Sequence, residues 1–284
     1  MLRASFDAAT LQALGAAYLE KSASNRVARD SALNPESAGM RLCEAPIVAV
    51  ASADDPLFQE LKQPGVIGSH FMEPALWQPG ARSVISFFLP FTEQIILSNR
   101  ADPGWPSPQW LHARIEGQAM VAETAGYLMD LLIQAGYPSV VPVSDQRFWR
   151  HSSPEHIQED GEKFLGFTTN WSERHVGYVA GLGTFGLSAG LITARGMAGR
   201  IGSVVTTLKL EPTSRPYSRR DEYCTQCGAC IARCPVSAIS EGGKDHVPCG
   251  ALIDKTRRDC YPRFGCGKCQ VAVPCEHEIP ARRP

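Results

Sequence analysis

Hydrophobic residues recur at helical spacing in two long segments of the chain. The first segment runs from about Asp7 to Lys21, and the second from about Gln109 to Ala135. Each segment places its apolar residues on one face, which is the pattern of an amphipathic helix. Gly136 and Pro138 end the second segment. We therefore predict two helices that pack against a common core.

Shorter apolar runs predict buried strands. These runs are Ile47–Ala51, Ser83–Leu89, Val140–Val143 and Val204–Leu210. Two further helices are expected at Pro56–Leu61 and Glu173–Ala180, whereas residues 22–46 and 144–171 are polar and predict loops. Helices and strands that alternate in this way indicate an α/β (α+β) fold.

Composition adds limits to this picture. Hydrophobic residues make up 44% and charged residues 20%, as in soluble globular proteins. No apolar run reaches the roughly 18 residues of a membrane helix, and Met1–Leu19 lacks the features of a secretion signal. We therefore expect a cytoplasmic protein. The net charge is −1, which provides no strong nucleic-acid signature, although residues 209–284 alone carry +4.

Nine of the ten cysteines lie between Cys224 and Cys275, and only Cys43 lies elsewhere. The first four follow the spacing C-x2-C-x2-C-x3-C-P, which is the bacterial ferredoxin run. Three closely spaced thiolates can reach three corners of one [4Fe–4S] cluster, and the fourth thiolate of such a run ligates a second cluster. We predict that this fourth cysteine begins a helix. The first four ligands are Cys224, Cys227, Cys230 and Cys234.

A second cluster requires further ligands, and Cys266-x2-Cys269-x5-Cys275 supplies them. By the ferredoxin exchange, Cys275 completes the cluster of the first three cysteines. The second cluster then takes Cys234, Cys266, Cys269 and one more cysteine. Either Cys249, just before a predicted helix at Ala251–Arg258, or Cys260 is that ligand, and we favour Cys249. Cys43 is expected to be a buried structural thiol.

A glycine-rich segment, Gly181-Leu-Gly-Thr-Phe-Gly186, follows the predicted helix Glu173–Ala180. It matches G-x-G-x-x-G, but a dinucleotide site needs a preceding strand and an acidic residue about 20 positions later, and both are missing. Glycines also let the backbone approach a bulky planar ligand. We predict cofactor contacts here; the alternative is a plain structural connection. The predicted cofactor-binding residues are Gly181, Leu182, Gly183, Thr184 and Gly186.

This glycine segment, with Gly190-Leu-Ile-Thr193, Gly202–Thr207 and the double cysteine motif, resembles the epoxyqueuosine reductases and the reductive dehalogenases. The resemblance spans about Pro79 to Pro280. It implies a nitroreductase-like N-terminal domain that binds cobalamin, and a ferredoxin-like domain whose two [4Fe–4S] clusters feed electrons to the cobalt. We place these domains at residues 1–210 and 211–284. A flavin in the N-terminal domain is the lesser alternative.

The segment before the glycines carries the candidate catalytic residues. Glu173 stands in the Glu-Arg place of the epoxyqueuosine reductases, but Phe167 occupies the position of their catalytic Asp, and a phenyl ring cannot donate a proton. His175 suits proton transfer near neutral pH. Tyr178 is a possible donor by analogy with the dehalogenases, although a tyrosine on an apolar helix face is more often part of the core.

We accordingly predict a cobalamin-dependent reductase. It would need an external low-potential electron donor, and its substrate is an unidentified small molecule or modified nucleoside. The alternative is an electron-transfer or corrinoid-reactivating protein without substrate chemistry of its own.

Overall fold

The structure is a computed structural model that describes residues 6–152, 156–159, 162–165 and 167–281. Its helices, in chain order, are α1 (Ala8–Lys21), α2 (Leu57–Glu60), α3 (Pro74–Trp77), α4 (Glu93–Ser98), α5 (Pro108–Gln134), α6 (Glu173–Ala180), α7 (Ala229–Ala232) and α8 (His246–Asp259). Its strands are β1 (Ile47–Ser52), β2 (Ser83–Pro90), β3 (Ser139–Val140), β4 (His156–Glu159), β5 (Glu162–Leu165), β6 (Gly183–Phe185), β7 (Leu191–Thr193), β8 (Gly199–Thr206), β9 (Ile239–Ser240) and β10 (Gly243–Lys244).

A four-stranded antiparallel sheet has the order β1-β2-β8-β3. All eight residues of β2 are buried, because helices cover both faces of the sheet. Helices α1 and α5 cover one face, where Phe87 and Val204 join the core, and α6 covers the other, where Val84 and Val205 do. The mixed α/β architecture is therefore confirmed.

The two long helices agree with their predicted spans to within one residue. Helix α1 begins after Asp7, whose carboxylate accepts a hydrogen bond from the Thr10 amide at 2.7 Å. Helix α5 begins after Ser107, whose hydroxyl accepts from the Trp110 amide at 3.1 Å. Such N-caps satisfy amides that lack a partner within the helix.

Strand β8 lies further towards the N-terminus than Val204–Leu210, the predicted span. The prediction missed Gly199 and Gly202 because glycine is a poor strand former. The structure shows why glycine stands there. A Cβ at Gly202 would lie 2.6 Å from the Phe87 ring, and one at Gly199 would lie 2.3 Å from the carbonyl oxygen of Leu89.

Other predictions need correction. Residues 144–171 are not wholly loop, because β4 and β5 pair as a hairpin within them. Residues 22–46 contain three short 3₁₀ helices. The third strand is shorter than predicted, since a 3₁₀ turn replaces its second half at Pro142. Cys234 does not begin a helix but follows α7, and Cys249 lies inside the first turn of α8 rather than before it.

The C-terminal cysteine region packs directly on the sheet and its helices. Val271 is fully buried in the same core as Phe87. The Lys268 side chain is also fully buried, and its ammonium donates to the backbone oxygen and Oδ1 of Asn99, at 2.8 and 3.0 Å. Gly267 has no room for a Cβ, which would lie 1.9 Å from the Trp110 ring. In the described residues, no helix combines the length and the apolar character needed to cross a bilayer.

Candidate functional site

Four cysteines surround one small cavity that is lined mainly by apolar atoms. They are Cys224, Cys227, Cys230 and Cys275. Burial, together with the other three thiols, raises the pKa of the Cys275 thiol to about 12. The backbone carbonyl of Cys275 accepts a hydrogen bond from the Met197 amide at 3.0 Å, which fixes this distant cysteine beside the first three.

The remaining cysteines of the double motif form a second group. Burial raises the pKa of the Cys269 thiol, and among its neighbours Cys249 and Cys234 raise it further. Burial also raises the pKa of the Cys266 thiol, and Cys269 and Cys249 add to this rise. By contrast, the pKa of Cys260 is raised by burial and by Asp259, while a hydrogen bond with Trp105 lowers it. Cys249 therefore lies within the second group, and Cys260 faces other partners.

The backbone around both groups suits an anionic ligand. Residues with positive φ follow cysteines closely: Gln226 at 51°, Gly228 at 73° and Gly267 at 68°. Left-handed residues among right-handed ones turn successive amides towards one point and so form anion-binding concavities. The Ala238 amide already donates to Cys234 Sγ at 3.1 Å. The thiol sets and the amides fit [4Fe–4S] clusters, although no three Cys, His, Asp or Glu side chains of the described residues converge on a single-ion site.

A much larger cavity, of about 790 Å³, adjoins the first cysteine group. Arg174, His175 and Tyr178 of α6 line this cavity, and so does Cys224. Leu187 borders both this cavity and the small one, so a single layer of residues separates them. Its volume is typical of sites for small molecules and cofactors.

The glycine segment ends α6 and starts a hairpin. Gly181 has φ 101°, and the amides of Gly181 and Leu182 bond back to Tyr178 and Gly177, which is a Schellman motif. Gly183 pairs with Thr193, and a Cβ there would lie 1.8 Å from the carbonyl oxygen of Ile192.

Of the predicted cofactor-binding residues, the structure places only Gly186 in the lining of the large cavity. Gly181, Leu182, Gly183 and Thr184 lie outside that lining. Thr184 instead accepts a hydrogen bond from the Tyr223 amide at 2.8 Å, beside the first cysteine group. The tight packing around Gly183 is sufficient to explain a glycine at this position, and no bound ligand is needed for that explanation. A cofactor contact of the segment stays a prediction.

Two of the three candidate catalytic residues face the large cavity. His175 Nδ1 lies 2.7 Å from the Ser172 hydroxyl. Burial, with Arg174 and Arg220 nearby, lowers the pKa of His175 to about 3, so this imidazole is neutral at pH 7. Tyr178 is half-buried, and burial raises its pKa, so its phenol keeps its proton. Tyr178 is therefore the better placed proton donor of the two.

Glu173 lies behind the cavity wall, next to the sheet. Both carboxyl oxygens are buried without a geometric hydrogen-bond partner in the described part of the chain. The nearby Ser203 hydroxyl accepts from Trp171 Nε1 at 3.0 Å. Desolvation raises the pKa of Glu173 to about 8, although Ser203 acts in the opposite direction. The side chain is therefore mostly protonated at neutral pH.

This burial predicts a pH-dependent stability. Between about pH 4.5 and pH 8 the folded chain keeps a proton on Glu173 that the unfolded chain has lost, so its stability falls as pH rises. Glu173→Gln should remove this fall in stability, because glutamine does not titrate. Across that range we expect the variant to gain about 1.4 kcal/mol per pH unit over the wild type, measured by urea unfolding. Glu60→Gln, at the exposed cavity rim, is the control. Parallel wild-type and Glu173→Gln profiles would contradict the assignment.

Phe167 also lines the large cavity. Its ring stacks on His246, with the ring centroids 5.6 Å apart, and contacts the position of Gly250 in α8. Phe167 itself therefore cannot supply a proton to the cavity.

Comparisons with known proteins identify an iron–sulfur domain and relatives that are reductases. Residues 219–240 match the family model of the 4Fe–4S binding domain. Epoxyqueuosine reductases of Bacillus anthracis and Bacillus cereus are each 30% identical to the chain over 131 residues. The resemblance predicted from the sequence is confirmed.

These matches have a limited extent. The aligned part covers 42% of this chain and 33% of either Bacillus relative, so it spans about a third of their length. Among solved structures, a selenomethionine-labelled epoxyqueuosine reductase is similar to 81% of this chain and 61% of its own, with TM-score 0.50 and 17% identity.

A reductive dehalogenase, described as B12-dependent, is similar to 83% of this chain and 30% of its own, with TM-score 0.52 and 17% identity. At these identities the two solved structures establish a likeness of fold.

Proposed function

We propose that the chain is an iron–sulfur reductase that delivers electrons from two [4Fe–4S] clusters to a cofactor in the 790 Å³ cavity. One observation carries this proposal: Cys224 belongs to a group of four cysteines around one small cavity and also lines the large one. A cluster held there would lie one residue layer from the occupant of the large cavity. The epoxyqueuosine reductase relatives and the 4Fe–4S domain support the reductase class.

The thiol groups define the proposed ligand sets. The first cluster would be held by Cys224, Cys227, Cys230 and Cys275, and the second by Cys234, Cys249, Cys266 and Cys269. Cys230 and Cys269 are electrostatic neighbours, so the two sets adjoin. The two adjoining clusters would therefore form an electron route to the large cavity. An external low-potential donor could reduce either cluster first.

Cobalamin is the cofactor that we propose for the large cavity. The cavity is lined in part by aromatic rings, which suit a large macrocycle, and one structural neighbour is described as a B12-dependent dehalogenase. When bound, the two clusters would supply electrons one at a time, and the corrinoid would supply a low-valent cobalt. No relative named above supports the flavin alternative. A nitroreductase-like origin of the N-terminal domain, and its boundary at residue 210, belong to this proposal.

The chain's own residues would handle the proton. Tyr178 faces the cavity with its proton in place, and the protonated Glu173 is the first residue of the same helix, outside the cavity lining. Neutral His175 would act as a hydrogen-bond partner. Because Phe167 stands where an acid would serve epoxide opening, we propose a substrate other than an epoxide.

Titration of the iron-loaded chain with cob(II)alamin tests the cofactor proposal. We expect saturable binding of one corrinoid per chain, followed through the cobalt spectrum. Reduction of the clusters should then reduce the bound cobalt. An iron-loaded, folded chain with no affinity for cob(II)alamin would exclude cobalamin and favour a pure electron-transfer role.

A further inference from the structure

Four arginines lie together at the wall of the large cavity. Arg150 and Arg174 line the cavity, and Arg114 of α5 and Arg200 of β8 lie behind them. None of the four forms an ion pair with a carboxylate among the residues that the structure describes. Other arginines of the chain are paired with carboxylates: Arg100 with Glu276, Arg147 with Asp145, Arg215 with Asp55 and Arg263 with Glu116.

The contacts of these arginines leave their charges uncompensated. Arg174 Nη1 donates to the carbonyl oxygen of Ala189 at 2.6 Å. The Arg114 guanidinium lies over the Phe264 ring, 5.0 Å from its centroid. The Arg200 Nε is buried without a hydrogen-bond partner in the described structure. Since a guanidinium stays charged in proteins, these four side chains carry positive charges that an anion would stabilise.

Burial and mutual repulsion act together on the group. Both lower the pKa of Arg114 to about 10, with Arg150 and Arg174 among the causes. The pKa of Arg200 is also lowered, first by burial and then by Arg114, Arg174 and Arg150. These neighbours therefore repel one another in the absence of an anion.

The cysteines of the two groups are neighbours of only part of this arginine group. Arg174 has Cys269 and Cys249 as neighbours, so a cluster held there would compensate part of its charge. The cysteine that acts on Arg200 is instead Cys43. Burial raises the pKa of Cys43 to about 12, so that thiol is neutral. Arg114 and Arg200 therefore carry positive charges that no thiol of the two cysteine groups compensates.

We propose that the end of the cavity at Arg150 and Arg174 binds a phosphate group of the molecule that enters it. Guanidinium groups bind phosphate through paired, charge-assisted hydrogen bonds, and several of them favour a doubly charged group over a carboxylate. Arg114 and Arg200 add positive potential from behind and are positioning residues. The inference does not depend on the redox cofactor, because it concerns only the chain's own cations.

Calorimetric titration of the iron-loaded chain with inorganic phosphate at low ionic strength tests this proposal. We expect one saturable site, with acetate binding at least tenfold more weakly. Arg150→Gln and Arg174→Gln should each weaken phosphate binding at least tenfold, and Arg200→Gln should weaken it by less. Arg195→Gln, which alters an exposed arginine in the turn after β7, should bind as the wild type does.

Iron content and circular dichroism of each variant show whether it is folded and loaded. Arg150→Gln keeps the test valid if Arg174→Gln loses iron, because Arg150 is not among the charges that act on the ligand thiols. Absence of saturable phosphate binding, equal binding by Arg150→Gln and wild type, or equally tight acetate binding would each overturn the proposal.

Discussion

Cys249→Ala is expected to lose one of the two clusters, and Cys260→Ala to keep both. Cys249 lies among Cys266, Cys269 and Cys234, so its removal leaves the second cluster with three thiolates. We expect about four iron atoms per chain instead of about eight. Cys260 caps the end of α8 and interacts with Trp105, and its removal leaves both thiol groups intact.

The matched pair makes this test specific, because both cysteines belong to α8 or its C-cap and both changes remove the same atom. Iron and sulfide analysis after anaerobic reconstitution provides the measurement, and spectroscopy of the reduced state shows which cluster remains. A full iron content in Cys249→Ala, or a halved content in Cys260→Ala, would contradict the ligand sets. Cys275→Ala should in turn damage the cluster of Cys224.

Gly183→Val is expected to disrupt the fold around α6 rather than only a ligand site. Any Cβ at this position would lie 1.8 Å from the Ile192 carbonyl oxygen, which is backbone of the paired strand β7 and cannot move aside alone. Overpacking of a core commonly costs 1–3 kcal/mol, and a backbone clash of this size should cost at least about 3 kcal/mol. Thermal unfolding followed by circular dichroism measures the loss. A separate effect on cobalamin binding, with iron unchanged, would require a stable variant.

Gly126→Ala is the matched control for this variant. Gly126 lies within α5, and a Cβ there would meet no atom within 4 Å. Alanine should stabilise the helix by about 0.5–1 kcal/mol, because glycine loses more backbone entropy on folding. If Gly183→Val unfolded at the same temperature as the wild type, β6 and β7 would have to be arranged differently.

Much of this architecture can be predicted from the sequence, because several of its signals depend only on residues close together in the chain. Helix α5 is predicted almost to the residue, since helical periodicity and the caps at its two ends agree. The cysteine run is equally local: three residues on a tight turn determine three ligands of one cluster. The exchange of Cys275 into the first group follows from the same motif, although the residues that hold it, such as Met197, do not.

Other features depend on residues far apart in sequence. The extent of β8 follows from Phe87 and Leu89 on the neighbouring strand, which leave room only for glycine. The buried Lys268 has Asn99 as its partner, and no pattern around the lysine indicates that partner. Gly267, next to this lysine, is the one local signal that the segment packs closely, because the Trp110 ring leaves no room for a side chain there. The arginine group likewise joins residues from α5, α6, β8 and the segment between β3 and β4.

The determination of iron and acid-labile sulfide in the anaerobically prepared wild-type chain tests the central claim most directly. Two thiol groups of four predict about eight iron atoms and about eight sulfide ions per chain. A content that stays at about four of each after complete reconstitution would contradict the two-cluster account and the electron route built on it.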